Sequence, residues 1–273
     1  MPLFNTVLCA LDSSPLGPRV LRHAVGVAAA CGAQLTLLKV VSSDPRRAEA
    51  DVAAMLRELV PSGAAWAKEP RIRALQLSLG QPADAVVDAA QRGTDLIVAG
   101  THSKSGWSRW FLGSTSAAIL EQAPCPVMLI PPGEAEVVTL GSTEARLSPG
   151  AVLAAVDLSD VHRPQLTMAG GLAALAGQPL VLMTVADAAM SDEEADRSLR
   201  ACATQAGLQG AIRFVVRRGH VPDEIDRAAV AERAGLVVMG LRAPEKGTPG
   251  GIATAVLKTK DAVVLAVPDG PRM

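Results

Sequence analysis

The chain has 273 residues, of which 49% are hydrophobic and 19% charged, so it is long and apolar enough for about two folded domains and is not intrinsically disordered. Its 26 basic and 27 acidic residues leave a net charge of -1, which argues against nucleic-acid or acidic-membrane binding. Aromatic residues make up only 2% of the chain, so base-stacking platforms are not expected either.

The amino terminus shows no export signal. Residues 1–6 contain no basic side chain, and Asp12 interrupts the apolar run that follows them. The four cysteines form no C-x-x-C pair and have no histidine at metal-ligand spacing. These features predict a cytoplasmic protein with reduced thiols.

Short apolar runs alternate with longer amphipathic segments along the first half of the chain. Runs that are apolar on both faces suit strands covered by helices on each side, as in a parallel sheet. Between the runs, Asp44-Pro45 is typical of a helix start and Arg92-Gly93 of a helix end. The pattern predicts the order β-α-β-α-β-α-β-α-β. Four of the five predicted strands are apolar runs, at 7–11, 34–40, 96–100 and 126–130.

The second half repeats the landmarks of the first half in the same order. The matching pairs are 7–12 with 152–157, 34–40 with 178–185, 96–100 with 236–240, and 126–131 with 263–268. This self-similarity predicts two copies of one α/β domain, 1–132 and 151–273. The segment 133–150 between them is rich in Gly, Pro, Ser and Glu and is predicted to be a linker, with room for a short edge strand at 137–140.

One uncharged stretch, 164–186, is long enough to span a bilayer. Two glycines at 170–171 and a Gly-Gln-Pro break at 177–179 interrupt it. We therefore interpret it as a buried helix, a turn and a strand, and expect no membrane partner.

Ligands of open parallel sheets bind beyond the carboxyl ends of the strands, near a switch in strand order. Three segments of the first half meet that condition: Asp12, residues 40–41, and the loop that begins at Gly100. The loop ends at 113–116 (GSTS), just before a helical apolar segment. Backbone amides and hydroxyls at a helix amino terminus favour phosphate, so this loop is the most informative candidate.

The loop also has the spacing of a known nucleotide motif, G-x2-G-x9-G-[ST]. Gly100, Gly113 and Ser114 fall in register with it, and Cys125-Pro126-Val127 follows as expected. The chain thus resembles a tandem universal stress protein over nearly all of both halves. The resemblance implies two Rossmann-like, doubly wound parallel sheets of five strands, of the adenine nucleotide alpha hydrolase-like type, packed as a pseudo-dimer. It also implies a role in stress tolerance, often through ATP or AMP binding.

The resemblance implies a role for each matching residue of the first half. Asp12 would meet the ribose hydroxyls, and the backbone of Val40 would meet the adenine edge. Ser103 stands at the second glycine position of the motif, where its side chain either crowds a phosphate or donates a hydroxyl. The implied cofactor is ATP or AMP, with or without Mg²⁺, in the first domain only. The residues that would surround ribose and phosphates are Gly100, Gly113, Ser114, Thr115 and Ser116.

The second half departs further from the motif. Asp157 and Gly240 are kept, but Gly250 follows Gly240 by ten residues, where the interval in the first half is thirteen. Gly251 also replaces the serine. We expect no nucleotide there and a mainly structural role for this domain, which would dock against the first.

Several alternatives stay open at this point. A scaffold or chaperone-like protein that binds no nucleotide is the main one, with Ser103 marking the loss. Asp12 and Ser114 would then serve only as helix caps. An NAD-dependent enzyme is disfavoured because residues 12–15, with no glycine among them, stand where such enzymes have a glycine-rich turn. The sequence contains no P-loop, so slow ATP hydrolysis is the most catalysis expected, and association of two chains is undecided.

Overall fold

The structure, a computed structural model, describes residues 2–41, 45–60, 63–64, 72–78 (backbone only), 80–101, 112–160, 163–241 and 262–269. The chain divides into two compact units. The first contains Met1–Pro132 and Val138–Ser148, and the second contains Gly133–Val137 and Pro149–Pro271.

The first unit contains a parallel sheet with helices between successive strands. Its strands are β1 (Thr6–Leu11), β2 (Gln34–Val40), β3 (Ile72–Ser78), β4 (Leu96–Gly100) and β5 (Val127–Ile130). Its helices are α1 (Gly17–Cys31), α2 (Pro45–Leu59), α3 (Pro82–Ala90) and α4 (Ser114–Gln122). The strands lie in the order β3-β2-β1-β4-β5, so the chain reverses its direction of winding between β1 and β4.

A small antiparallel hairpin, formed by β6 (Val138–Leu140) and β7 (Ala145–Leu147), also belongs to the first unit. It lies within the segment that the sequence predicts to be a linker, and it packs on α1. Gly26 of α1 makes this possible, because a Cβ at that position would lie 2.6 Å from Cβ of Val138. Thr139 and Ser148 join the two sides of the hairpin through their hydroxyls, 2.7 Å apart.

The second unit repeats the arrangement of the first. Its strands are β8 (Val152–Ala155), β9 (Leu180–Val185), β10 (Ile212–Arg217), β11 (Leu236–Leu241) and β12 (Val263–Pro268). Its helices are α5 (Pro164–Ala176), α6 (Asp192–Gln205) and α7 (Val221–Ala231). The parallel strands lie in the order β10-β9-β8-β11-β12. The predicted doubly wound parallel α/β fold is confirmed.

Equivalent glycines end the first helix of each unit. Gly32 follows α1 with φ 65°, and Gly177 follows α5 with φ 62°. Both are in the left-handed conformation, which glycine adopts without steric cost and which lets the following residue turn back toward the sheet. The stretch 164–186 is therefore a helix, a turn and a strand, and none of the described helices is long and apolar enough to cross a bilayer.

The amino terminus of α6 carries a capping box, formed by Ser191 and Glu194. Ser191 Oγ accepts from the amide of Glu194 at 3.2 Å, and the Glu194 carboxylate accepts from the amide of Ser191 at 3.0 Å. Ser191→Ala should lower the free energy of unfolding by about 1 kcal/mol, whereas Ser191→Thr should keep most of it. Urea denaturation of the two variants measures the difference, and equal losses in both would contradict the cap.

The same cap makes stability depend on pH. The hydrogen bonds from Ser191 lower the pKa of the Glu194 carboxyl in the folded protein. The stabilisation from this carboxylate is therefore complete above its unfolded pKa and is lost as the pH falls through the lowered value.

Candidate functional site

The candidate site lies where β1 and β4 end, at the reversal of strand order in the first unit. The two strands pair in parallel, with Cys9 beside Val98, and two residues further on they end at Leu11 and Gly100. A switch of this kind separates the loops that leave adjacent strands and opens a crevice at the carboxyl edge. The sequence-based placement of the site is therefore consistent with the topology.

Asp12 stands at the edge of this crevice in a fixed turn. Its Oδ1 accepts from the amide of Ser14 at 3.0 Å and from the Ser14 hydroxyl at 2.7 Å. The Ser14 hydroxyl in turn accepts from the amide of Leu16 at 3.2 Å. The N-cap of α1 is Leu16, so the exposed Asp12 carboxylate orients its own turn and does not cap that helix.

Val40 lies at the end of β2, the strand that pairs with β1, which Asp12 follows. In the β1–β2 register Leu11 pairs with Lys39, so the next residues, Asp12 and Val40, follow side by side. Val40 is the half-buried last residue of β2. Asp12 and Val40 thus come directly after the last paired residues of two neighbouring strands.

Gly100 has a packing role that the sequence analysis missed. A Cβ at Gly100 would lie 2.9 Å from Cδ2 of Leu16 and 3.3 Å from Cγ2 of Val20. The first turn of α1 therefore rests on the end of β4, and glycine is needed for this close approach. The sequence signal for this contact was the apolar pair Leu16 and Val20, four residues apart and just after Asp12.

The two ends of the loop that follows β4 are joined by a backbone hydrogen bond. The amide of Gly113 donates to the carbonyl oxygen of Thr101 at 2.8 Å, and the amide of Thr101 donates to Ile130 at 3.1 Å. The buried Ser116 hydroxyl donates to the carbonyl oxygen of Gly100 at 2.6 Å. These bonds place the start of α4 next to the end of β4. The Ser116 side chain thus positions the helix, and its hydroxyl proton is already used.

Among the residues that the structure describes, no side chain caps the amino terminus of α4. Its N-cap is Gly113, in an extended conformation with φ -61° and ψ 148° and with no side-chain cap. The first-turn amides of an α-helix, here those of Ser114, Thr115 and Ser116, have no acceptor within the helix. Ser114 is exposed and Thr115 half-buried, and both follow Gly113, whose amide is bonded to Thr101 just after β4. Such a terminus attracts an anion through its amides and its dipole.

One predicted site residue, Ser103, lies outside the described residues, as do residues 102–111 in general. The other seven proposed residues are described. The bonds above hold Gly100, Gly113 and Ser116 at the end of β4, and Ser114 and Thr115 lie between the last two in the chain. Asp12 follows β1, and Val40 ends β2, on one side of β4.

The thiols of the first unit are unsuited to nucleophilic chemistry. Burial raises the pKa of Cys9 far above its usual range, that of Cys125 to about 12 and that of Cys31 to about 11. These thiols are therefore protonated at neutral pH. Among the described residues no group of three His, Cys, Asp or Glu side chains could hold a metal ion.

The second unit keeps the aspartate turn after its first strand. The side chain packed on the glycine near the end of its fourth strand is polar, whereas those packed on Gly100 in the first unit are apolar. Asp157 Oδ1 accepts from the amide and the hydroxyl of Ser159 at 2.9 and 2.6 Å, as in the first unit. Gly240 lies near the end of β11, where a Cβ would meet the carboxamide of Gln165 at 3.3 Å. Residues 242–261, which contain the shortened loop, lie outside the described part of the chain.

Comparison with known proteins bears on both units. The sequence model of the universal stress protein family matches residues 3–131. The universal stress protein in the QAH/OAS sulfhydrylase 3′ region of Thermus aquaticus is 32% identical over 142 residues, covering 47% of this chain and 99% of that protein.

Two solved structures are similar over almost the whole chain. A protein of unknown function from Pseudomonas aeruginosa has a TM-score of 0.70 and 20% identity, covering 97% of this chain and 92% of its own. A universal stress protein from Archaeoglobus fulgidus has a TM-score of 0.68 and 18% identity, covering 97% of both chains. At these identities the likeness concerns the fold, which extends through both halves.

Proposed function

Because this chain belongs to the universal stress protein family, we propose that its first domain, residues 1–132, is a stress-response module that binds ATP or AMP. The amino terminus of α4 at the strand switch, which no described side chain caps, carries the proposal. The amides of residues 114–116 lie where an anionic group can approach them, next to the end of β4. Phosphate is the biological anion best matched to such a terminus.

The order of polar groups along the sheet edge supports a nucleotide rather than a simple anion. β2, β1 and β4 are consecutive neighbours, so Val40, Asp12 and the α4 terminus follow one another along the edge. Neighbouring strands are about 4.8 Å apart, so this edge spans about 10 Å from β2 to β4. The adenine would lie against the backbone of Val40, the ribose hydroxyls against Asp12, and the phosphates against Ser114 and Thr115.

Two further residues would shape the phosphate region. Gly113 has no side chain, which lets a phosphate approach the amides that follow it. Ser116 would act through Gly100, holding α4 in place, rather than by touching the ligand. Ser103 would add a hydroxyl from the loop, and Mg²⁺ would accompany ATP. The second domain would provide no nucleotide site, because its loop lacks the Gly-Ser turn.

Ligand-dependent unfolding tests the proposal. A ligand that binds only the folded state stabilises it by about 2.7 kcal/mol at a hundredfold excess over Kd. We expect ATP with Mg²⁺, or AMP, to raise the free energy of unfolding of the first domain by that amount. Thermal and urea unfolding of the full chain, followed by circular dichroism, measure the increase.

Sodium triphosphate at matched ionic strength is the control, because it separates recognition of a nucleoside from general screening of charge. An unfolding curve that does not respond to either nucleotide would contradict the proposal. It would favour the scaffold or chaperone-like alternative that binds no nucleotide.

A further inference from the structure

Met55 of α2 packs on the turn that holds Asp12 in the first unit. The amide of Gly17, the first residue of α1, donates to the carbonyl oxygen of Ser14 at 3.1 Å and so closes this turn. A Cβ at Gly17 would lie 3.3 Å from the carbonyl oxygen of Asp12 and 3.7 Å from Cε of Met55. The Met55 methyl group therefore lies over Gly17, next to the backbone of Asp12.

The position of Met55 in α2 explains this contact. Ala48 and Val52 of this helix are buried, and Met55 follows Val52 by three residues. Residues three and four apart share one face of a helix, so Met55 lies on the face of α2 that packs on the first unit. Met55 is half-buried, and its unbranched, flexible side chain adapts to the surface left by the glycine.

The orientation of the Asp12 carboxylate depends on the same turn. Oδ1 of Asp12 accepts from the amide and the hydroxyl of Ser14, whereas Oδ2 has no hydrogen-bond partner among the residues that the structure describes. Asp12, Ser13 and Pro15 are exposed, so water competes for the hydrogen bonds of the turn. The contact with α2 is apolar, and water cannot replace it.

We propose that Met55 is a positioning residue for the nucleotide site of the first domain. By packing on Gly17 next to the Asp12 carbonyl group, it fixes the turn and thereby the direction in which Oδ2 of Asp12 meets the ribose hydroxyls. Hydrogen bonds weaken steeply as their angle departs from linearity, so a small rotation of this carboxylate lowers the affinity. This inference rests on the proposed function and extends the site to α2, which touches no ligand in this role.

Calorimetric titration of the full chain with ATP and with 2′,3′-dideoxy-ATP, each with Mg²⁺, tests the inference. The analogue keeps the base and the triphosphate but lacks both ribose hydroxyls, so it cannot use Asp12. The parent should bind ATP about tenfold more tightly than the analogue, because hydrogen bonds to a charged group are lost in the analogue. Met55→Ala should remove most of this preference by weakening ATP binding about fivefold, with the affinity for the analogue unchanged.

Two further variants separate positioning from general packing of α2. Met55→Leu keeps most of the apolar volume and should retain the preference for ATP. Leu59→Ala removes a half-buried side chain one turn further along the same face of α2, and it should retain the preference as well. Urea unfolding of these variants and of Met55→Ala shows whether an equal loss of stability has unequal effects on ATP binding.

The combination with Asp12→Asn gives a second readout. Because Met55 acts through Asp12 in this proposal, Met55→Ala should cause no further loss of ATP affinity in the Asp12→Asn background. Equal losses for ATP and the analogue, additive effects of the two substitutions, or an unchanged preference in Met55→Ala would each overturn the inference. A parent protein that binds ATP and the analogue equally well also overturns it and leaves nucleotide binding intact, whereas a parent that binds neither contradicts the proposed function itself.

Discussion

Replacing Ser114 with aspartate is expected to abolish ATP binding while the fold is preserved. Ser114 is the exposed first residue of α4, so the new carboxylate would stand where the phosphate approaches. Two unit charges about 4 Å apart repel each other by about 4 kcal/mol at an effective dielectric constant near 20. The affinity for ATP should therefore fall by about a thousandfold, measured by titration calorimetry.

The unliganded Ser114→Asp protein should be as stable as the parent or slightly more so. An acidic residue in the first turn of a helix interacts favourably with the helix dipole, by about 0.5 kcal/mol. Loss of ATP binding together with unchanged or higher stability would thus locate the effect in the site. A destabilised variant would make the loss uninformative about the phosphate.

Ser114→Ala is the matched control, because it keeps the first-turn amides and removes only the hydroxyl. We expect it to weaken ATP binding by about 1 kcal/mol or less. The difference in ATP affinity between Ser114→Ala and Ser114→Asp therefore measures the electrostatic repulsion between the new carboxylate and the phosphates. Equal ATP affinities in the two variants would show that the phosphates lie elsewhere than at α4.

The sequence predicted the fold because the signals for it are local or repeated. Aliphatic runs at 7–11 and 96–100 are buried strands in the structure, and the glycine pattern that ends α1 recurs at the end of α5. Each of these features depends on a few adjacent residues and on the repetition of landmarks between the two halves. Such features can be recognised in the sequence alone, because they do not depend on tertiary contacts.

The alternatives left open for Asp12 and Ser114 required coordinates to decide. Both types favour N-cap positions, so the sequence allowed a capping role for each. In the structure the N-caps are Leu16 and Gly113, so neither polar residue caps a helix. Both residues are exposed and have no capping role, which agrees with the proposed nucleotide site.

Features that depend on tertiary contacts were beyond the sequence. Gly100 matched a motif, but its contact with Leu16 and Val20 depends on where α1 meets the sheet. Ser116 was grouped with the phosphate ligands, whereas its hydroxyl bonds to Gly100. A motif match identifies a place in the fold, and only the geometry separates residues that touch a ligand from residues that position others.

The hairpin was foreseen only in part: the short strand expected at 137–140 is β6, whereas its pairing with β7 and its packing on α1 depend on tertiary contacts. Its strands have three residues each and lie in a segment with the composition of a linker. Strand propensity is decided mainly by packing partners, and the partner here is a distant helix. The determinant is a single glycine of α1, which carries no strand signal at all.

Replacing Gly26 with leucine should therefore destabilise the first unit by about 2 kcal/mol. A Cβ at this position would lie 2.6 Å from Cβ of Val138 and 2.8 and 3.0 Å from its two methyl carbons. Inserting atoms into packed space forces side chains and backbone to shift, which costs about 1–3 kcal/mol or more. The better helix propensity of leucine offsets only about 1 kcal/mol of that strain. Urea unfolding measures the net change.

A double-mutant cycle with Val138→Gly distinguishes this contact from a general effect on α1. Val138→Gly removes all three atoms that the new side chain would meet, so leucine at position 26 can occupy the vacated space. The two substitutions should then couple favourably by at least about 1 kcal/mol, as residues in contact do. Additive effects would mean that the hairpin does not rest on Gly26. Coupling would show that residues 138–147, despite their linker-like composition, are a folded part of the first unit.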